Sequence, residues 1–242
     1  LVTIDDIDIS GDVNTVPAEG GCLNIQGGDV VLTNVNMEDC HAGDGGAVYV
    51  VAMASLSWTG GTCTASDATA DNGGCMATFA PTDLHAVDIS GNHATTNGGG
   101  IYASGMSSVV TWSDGTCELN IADNRGGCFY AGDNSNLTLG DDTGARLTIE
   151  GDVSSDLFAN DADSAGNQGY VAGQAKALSD VTIEPSFGPG MSDIRIGTLG
   201  EWCWLGATVD STEFTGVSGA DANEESSENH CSAGTCDSSC PI

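Results

Sequence analysis

Four groups of residues in this chain have types and spacings that could do chemistry: ten cysteines, four histidines, an Asp/Asn-rich loop and one Asn-x-Thr triplet. The cysteines are the most regular. Cys63 and Cys75 stand 12 positions apart and Cys117 and Cys128 stand 11 apart, in the matching contexts Trp58-Thr-Gly-Gly-Thr-Cys63 and Trp112-Ser-Asp-Gly-Thr-Cys117. Two equivalent pairs predict a disulfide within each, and Cys22 with Cys40 follows. Cys203, Cys231, Cys236 and Cys240 are left for two further bonds. The tail spacing Cys231-x4-Cys236-x3-Cys240 does not make the close CxxC pairs of a zinc knuckle, so disulfides are expected there rather than metal.

The other groups carry weaker signals. His41 and His93 follow Cys40 and Asn92, which makes them turn residues in equivalent positions, while His85 and His230 have no counterpart. No Ser/His/Asp triad can be assembled from them. Asp161, Asp163 and Asn167, with Gly166 between, offer oxygens in the manner of a Ca²⁺ loop. Ala165 and Ala172 occupy two ligand positions of that pattern, so a solvated turn is expected, with calcium the one cofactor to consider. Asn136-Leu137-Thr138 is an acceptor for N-glycosylation in a host that has the pathway. Trp58 and Trp112 read either as a platform for stacking sugars or as packing against the nearby disulfides.

The elements that hold these residues are set by a repeat. Glycine steps recur at Gly20-Gly21, Gly45-Gly46, Gly73-Gly74, Gly98-Gly99 and Gly126-Gly127, with first members 25, 28, 25 and 28 residues apart. Over this runs a longer period: Cys22, Cys75 and Cys128 are 53 apart, so two coils make one sequence unit. Self-similarity at such a period marks a solenoid, in which each repeat buries its apolar face against its neighbours. The segments between the glycines, such as Asp29 to Thr33 and Leu84 to Ile89, are short β-branched runs bounded by turn formers, and no window shows a helical stripe. The expectation is an all-β chain with about three short strands per coil, which is what a right-handed parallel β-helix needs.

A smaller element repeats as Ile9-Ser-Gly-Asp12, Met37-Glu-Asp-Cys40, Ile89-Ser-Gly-Asn92, Ile121-Ala-Asp-Asn124 and Leu157-Phe-Ala-Asn160. Its apolar residue points inward, and its Asn or Asp sits at a bend where a left-handed conformation is tolerated. Gly-Gly-Ala-Val at 45–48 and Gly-Gly-Ile at 99–101, following these elements, resemble the GGAI and FxxN repeats of the chlamydial polymorphic outer-membrane proteins and of related bacterial and algal surface proteins. The resemblance covers about residues 5–175 and implies a right-handed parallel β-helix displayed on a cell surface.

The spacing from Gly127 to Gly169 exceeds one coil, which places an insertion near 140–156 carrying Arg146, Leu147 and Ile149. After Pro189 the repeat fades, so residues 1–202 are expected to form the solenoid and residues 203–242 an acidic, cysteine-rich cap. Glu201-Trp-Cys-Trp-Leu205 reads as a plug on the last coil, and the C-terminal residues as intersubunit contacts in an extracellular assembly.

Composition bounds the setting. Thirty-five Asp and Glu against four Lys and Arg give a formal net charge of −31, which repels nucleic acid and anionic membranes. Self-association, other extracellular proteins and neutral glycans remain as partners. Ten cysteines argue for an oxidising, extracellular compartment. No run of eighteen apolar residues predicts a membrane span, and the start at Leu1 reads as a mature or excised segment. The four cations Arg125, Arg146, Lys176 and Arg195 form no basic cleft for a polyuronate, so the chain is expected to be a structural or adhesive protein rather than an enzyme. Binding or hydrolysis of a neutral glycan, which needs only a carboxylate pair, is the alternative.

Overall fold

Short β-branched runs between turn formers produce extended segments, and among the described residues there are strands and no helix. The computed structural model describes residues 1–11, 16–141, 146–149, 161–162, 169–172, 174–178, 181–183, 194–196, 201–205, 208–209 and 217–219. Every strand pairing among them is parallel, and each strand pairs with its counterpart in the next coil, so the chain is a parallel β-helix. The coils stack three sheets of 13, 5 and 8 strands. One coil runs through a long bent strand (Gly28–Glu38), a two-residue strand (His41–Ala42) and a three-residue strand (Val48–Val50), and the next repeats this as Ala54–Thr64, Asp67–Ala68 and Met76–Thr78.

The coil turns its corners one residue at a time. Asp6, Asn34, Gly60, Ala86 and Asp114 stack at the bend of the long sheet with φ between 50 and 70°. Asp39, Ala65, Gly91 and Leu119 form a second left-handed column, and the first glycines of the five pairs form a third. Ala65, Ala86 and Leu119 lack a polar side chain to support that conformation, so the hydrogen-bonded coils on either side impose it. In the glycine pairs both members are constrained. Gly45 has φ +60, and a Cβ on Gly46 would lie 2.1 Å from the carbonyl oxygen of Gly74 in the next coil.

The interior explains the two-coil period. Alternate coils place Leu32, Trp58, Leu84, Trp112 and Leu139 in one buried column. A neighbouring column runs Val35, Gly61, Val87, Gly115, Leu147, so each coil with a Trp has a Gly three residues on. Disulfides follow the same alternation. Cys63 bonds Cys75 and Cys117 bonds Cys128, each with Cα atoms 6.0 Å apart across the coil. In the coil between them Ile89 faces Gly100, whose Cβ would sit 3.2 Å from the Ile89 Cγ2. Cys22–Cys40, with Cα atoms 5.5 Å apart, instead joins successive coils. A disulfide therefore fills the space that a large aliphatic side chain over a glycine fills one coil away.

Several expectations change against this register. The bend residue of the small repeat is the one before the Asn: Gly91 has φ +65, while Asn92 is buried beside Ser66 and Asn120. Asn92 accepts the Ser66 N–H at 2.9 Å, and its own N–H donates to Asn120 Oδ1 at 3.1 Å. A buried amide stacked in this way satisfies the backbone of the adjacent coil. Ile121-Ala-Asp-Asn124 is not a copy of that element, because Ile89 partners Cys117 and Ile121 partners His93, with its side chain outward. Leu157-Phe-Ala-Asn160 lies outside the described residues.

The insertion near 140–156 is divided. Leu147–Ile149 belongs to the ladder, pairing Gly115–Cys117, and both Leu147 and Ile149 are buried. The added length lies before and after that strand: two residues separate Trp112 from Gly115, but seven separate their partners Leu139 and Leu147. Three residues separate Cys117 from Ile121, and eleven separate Ile149 from Asp161. The ladders also run past residue 202. Glu201–Leu205 pairs Gln174–Leu178, and Val217–Gly219 pairs Ile194–Ile196, so the expected boundary falls inside a strand. Backbone pairing continues there because it requires extended chain at the right height, not a glycine motif.

Gly74 tests this account, since a Cβ there would lie 2.2 Å from the Gly99 carbonyl oxygen, whereas a Cβ on Gly27 meets nothing within 4 Å. Gly74→Ala should lower stability by more than about 2 kcal/mol, read as a clear fall in the thermal midpoint. Gly27→Ala should leave it unchanged. Equal midpoints for the two variants would contradict the close approach.

Candidate functional site

One side of the solenoid carries three adjacent columns of polar and aromatic side chains, set by the two-residue strands, the glycine corner and the three-residue strands. In the two-residue strands Ala42, Ala68, Ala94 and Ala122 point inward and are fully buried, so their neighbours point outward. That outward column reads His41, Asp67, His93, Ile121, and the backbone ladder continues to the strand Asp161–Ala162. His41 and His93 thus hold equivalent positions two coils apart, with a carboxylate between them. His93 Nδ1 lies 2.9 Å from Asp67 Oδ1, and its Nε2 lies 2.9 Å from Asp123 Oδ1. His41 Nδ1 is 3.9 Å from Asp67 Oδ2.

A carboxylate is only an acceptor, so both His93 bonds are made together only when both ring nitrogens carry protons. Partial burial pulls the His93 pKa down, but the hydrogen bonds to Asp123 and Asp67 and their charges outweigh it and leave the pKa raised above 6.5. When protonated, the ring bridges three successive coils.

The second column follows the glycine corner. Glu19 and Asp44 are bridge partners, and Asn97 and Arg125 are partners further along. Burial pushes the Asp44 carboxyl up to about 6, with the Asp71 and Glu19 charges adding to the rise and the Asn72 and Gly45 N–H groups opposing it. Elsewhere the register keeps acids apart: Asp8 lies over Asn36, Asp29 over Ser55, Asp83 between Ser57 and Thr111, and Asp88 between Thr62 and Thr116. Like charges in direct register repel across a sheet. Among the described strand partners no carboxylate lies on another, and the Glu19–Asp44 bridge is where the acid with the strongly raised pKa occurs.

The third column is aromatic. Tyr49, Ala77, Tyr102, Tyr130 and Tyr170 share a register, and Phe79 supplies the ring where the column holds alanine. Tyr102 stacks on Tyr130 at 5.2 Å and 16°, and Tyr130 on Tyr170 at 5.2 Å and 4°. Phe79 meets Tyr49 and Tyr102 at tilted and edge-on angles, and the Arg125 guanidinium sits 4.7 Å from the Tyr170 ring centre. Burial pushes the Tyr49 hydroxyl up to about 12, reinforced by the Glu19, Asp44 and Asp71 charges. Burial raises Tyr102 and Tyr130 as well. The faces of Tyr130 are occupied by its neighbours, so this part of the column presents ring edges outward and works as a stabilising stack.

Trp58 and Trp112 are fully buried, which rules them out as an exposed sugar platform. Their indole N–H groups donate to the carbonyls of Gly60 at 3.0 Å and Val87 at 3.3 Å. His85 meets Ser113 at 3.0 Å in a separate column of the long sheet. Asn136 begins the strand Asn136–Leu139 and faces out. Asp161 is on a two-residue strand, while its proposed co-ligands Asp163 and Asn167 lie outside the described residues. Cys203 is on the strand Glu201–Leu205; Cys231, Cys236, Cys240 and His230 lie outside the described residues. Among the described residues no cluster of three or more potential metal ligands occurs. The tyrosine column escaped sequence reading because its members are unevenly spaced, and only the inward Ala or Val beside each hints at a shared face.

Comparison with protein-family models, curated proteins and solved structures finds no match to this chain. The class is therefore defined by the fold: an acidic, disulfide-braced parallel β-solenoid. The disulfides point to an oxidising, extracellular-type environment. Among the described residues no helix is long and apolar enough to cross a membrane.

His93 gives a pH prediction. Its raised pKa makes a contribution to stability that is complete below 6.5 and is lost as pH rises through the folded value. The stability gap between wild type and His93→Gln should therefore narrow from pH 5 to pH 9. In NMR titration the imidazole midpoint should lie above 6.5 and fall in Asp123→Asn. A midpoint at or below that value would refute the bridged imidazolium.

Proposed function

We propose that this chain is a non-enzymatic structural or adhesive protein of the cell exterior, serving as a stiff repeating element in a surface coat, appendage or filament. The observation that supports this most directly is the placing of disulfides inside the coil stack, across single coils at Cys63–Cys75 and Cys117–Cys128 and between coils at Cys22–Cys40. Such crosslinks require oxidising conditions and limit the local opening of the coils they close. The continuous ladders, in which each coil rests on its neighbours, suit a load-bearing rod. A net charge of −31, diluted along the columns by neutral partners, suits a protein that stays dispersed until it meets a basic partner, a glycan or a suitable copy of itself.

Electron microscopy and chemical crosslinking of native material test the reading. Recovery from the cell exterior in an extended assembly, with these cysteines oxidised, is the expected outcome. Incubation with a panel of polysaccharides supplies the opposing test: bond cleavage that disappears on replacing one carboxylate pair would overturn the non-enzymatic reading. Recovery of a cytosolic monomer with reduced cysteines would overturn the extracellular, assembled reading.

A further inference from the structure

The surface next to the corner that precedes the strand Asn136–Leu139 is concave. A groove of about 440 Å³ is lined there by residues that include Met106, Val109, Asn134, Asn136 and Gln174. Its volume lies within the range of small-ligand sites. The groove has an apolar side, where Met106 is 87% exposed and Val109 48% exposed, and an amide-rich side. Exposed methionine and valine beside amides is the mixed lining that a pyranose suits, with its C–H face on the aliphatic groups and its hydroxyls on the polar ones.

Asn136 is at the edge of this groove, and its conformation is fixed. Its backbone N–H donates to the Ser108 carbonyl at 3.0 Å. Leu137 and Leu139 are buried, so Asn136 and Thr138 project on the same outward side of an extended strand. The triplet thus presents its amide and its hydroxyl together. Had the register been shifted by one residue, both would point into the core. Among the described residues the Asn136 carboxamide takes no hydrogen bond, so Nδ2 is not committed to the fold.

We propose that Asn136 carries an N-linked glycan and that the groove seats its innermost N-acetylhexosamine over Met106 and Val109. The donor is an oligosaccharide linked to a polyprenyl pyrophosphate. Its anomeric C1–O bond breaks, a C1–N bond to Asn136 Nδ2 forms, one amide proton is lost, and polyprenyl pyrophosphate leaves. The covered groove then removes an exposed apolar patch from the rod surface. The inference rests on the extracellular reading above, because transfer takes place on the secretory route.

Met53 provides an internal control. It is 86% exposed at the same corner of the stack two coils away and does not line the groove. The full chain, secreted from a eukaryotic host, is analysed by peptide mass mapping and by peroxide oxidation of its methionines. Asn136 should carry the glycan, and Met106 should oxidise several-fold more slowly than Met53. Enzymatic removal of the glycan should bring the two rates together, as should Thr138→Val, which deletes the hydroxyl that the Asn-x-Thr triplet requires and keeps a strand-forming side chain. An occupied Asn136 with equal oxidation rates would overturn the seating in the groove. Secretion of the folded, disulfide-bonded chain with Asn136 bare would overturn the site while leaving the extracellular reading in place. Failure to form the disulfides on that route would overturn both.

Discussion

In-register parallel stacking is the constraint on which the rest of this molecule depends. Each coil lies about 4.8 Å from the next, and each paired strand residue sits directly over its counterpart, so what has to fit is a column of residues and not a single site. Corners show this most plainly. A left-handed residue in one coil requires one in the next, and the columns Asp6 to Asp114 and Asp39 to Leu119 hold that conformation whether the residue is Asn, Asp, Gly, Ala or Leu. Where the next coil's carbonyl comes within 2.1 Å of a would-be Cβ, as at Gly46, glycine alone is accepted.

The interior obeys the same rule with volume in place of conformation. A column with Trp in every coil and no compensating glycine would overfill the interior at each height. Trp58 and Trp112 therefore alternate with Leu32, Leu84 and Leu139, each Trp coil has its glycine at 61 or 115, and the in-coil disulfides alternate with Met37 or Ile89 set against Ala47 or Gly100. The repeat that doubles in the sequence is a packing repeat. Close-packed interiors leave little freedom for one column to change without its neighbour.

On the surface the quantity being managed is charge. A chain with a formal net charge of −31 would be pushed apart if its carboxylates stacked. Instead those in the strands lie over Asn, Ser and Thr, or between histidines at Asp67, and His93 ties two carboxylates together when its ring is protonated. Asp44 lies against Glu19 and half-buried, and its carboxyl is accordingly pushed up to about 6. The tyrosine stack beside this row adds cohesion along the axis without adding charge at neutral pH, since a tyrosine hydroxyl is un-ionised there, and burial raises Tyr49, Tyr102 and Tyr130 further.

The sequence by itself determined the class of fold, the coil length, the doubled period and the pairings Cys22–Cys40, Cys63–Cys75 and Cys117–Cys128, because glycine corners and cysteines leave spacings that can be counted. It misled where two similar strings fell on different heights, as with Ile89-Ser-Gly-Asn92 and Ile121-Ala-Asp-Asn124, and where variable loops hid a ladder that continued beyond residue 202. Only the tertiary structure decided which side of the strand Trp58 and Trp112 occupy, brought Tyr49, Tyr102, Tyr130 and Tyr170 into one column, and set His93 between Asp67 and Asp123. These depend on register, and register is fixed by backbone hydrogen bonds between coils that carry no residue label and therefore leave no trace in the order of the letters.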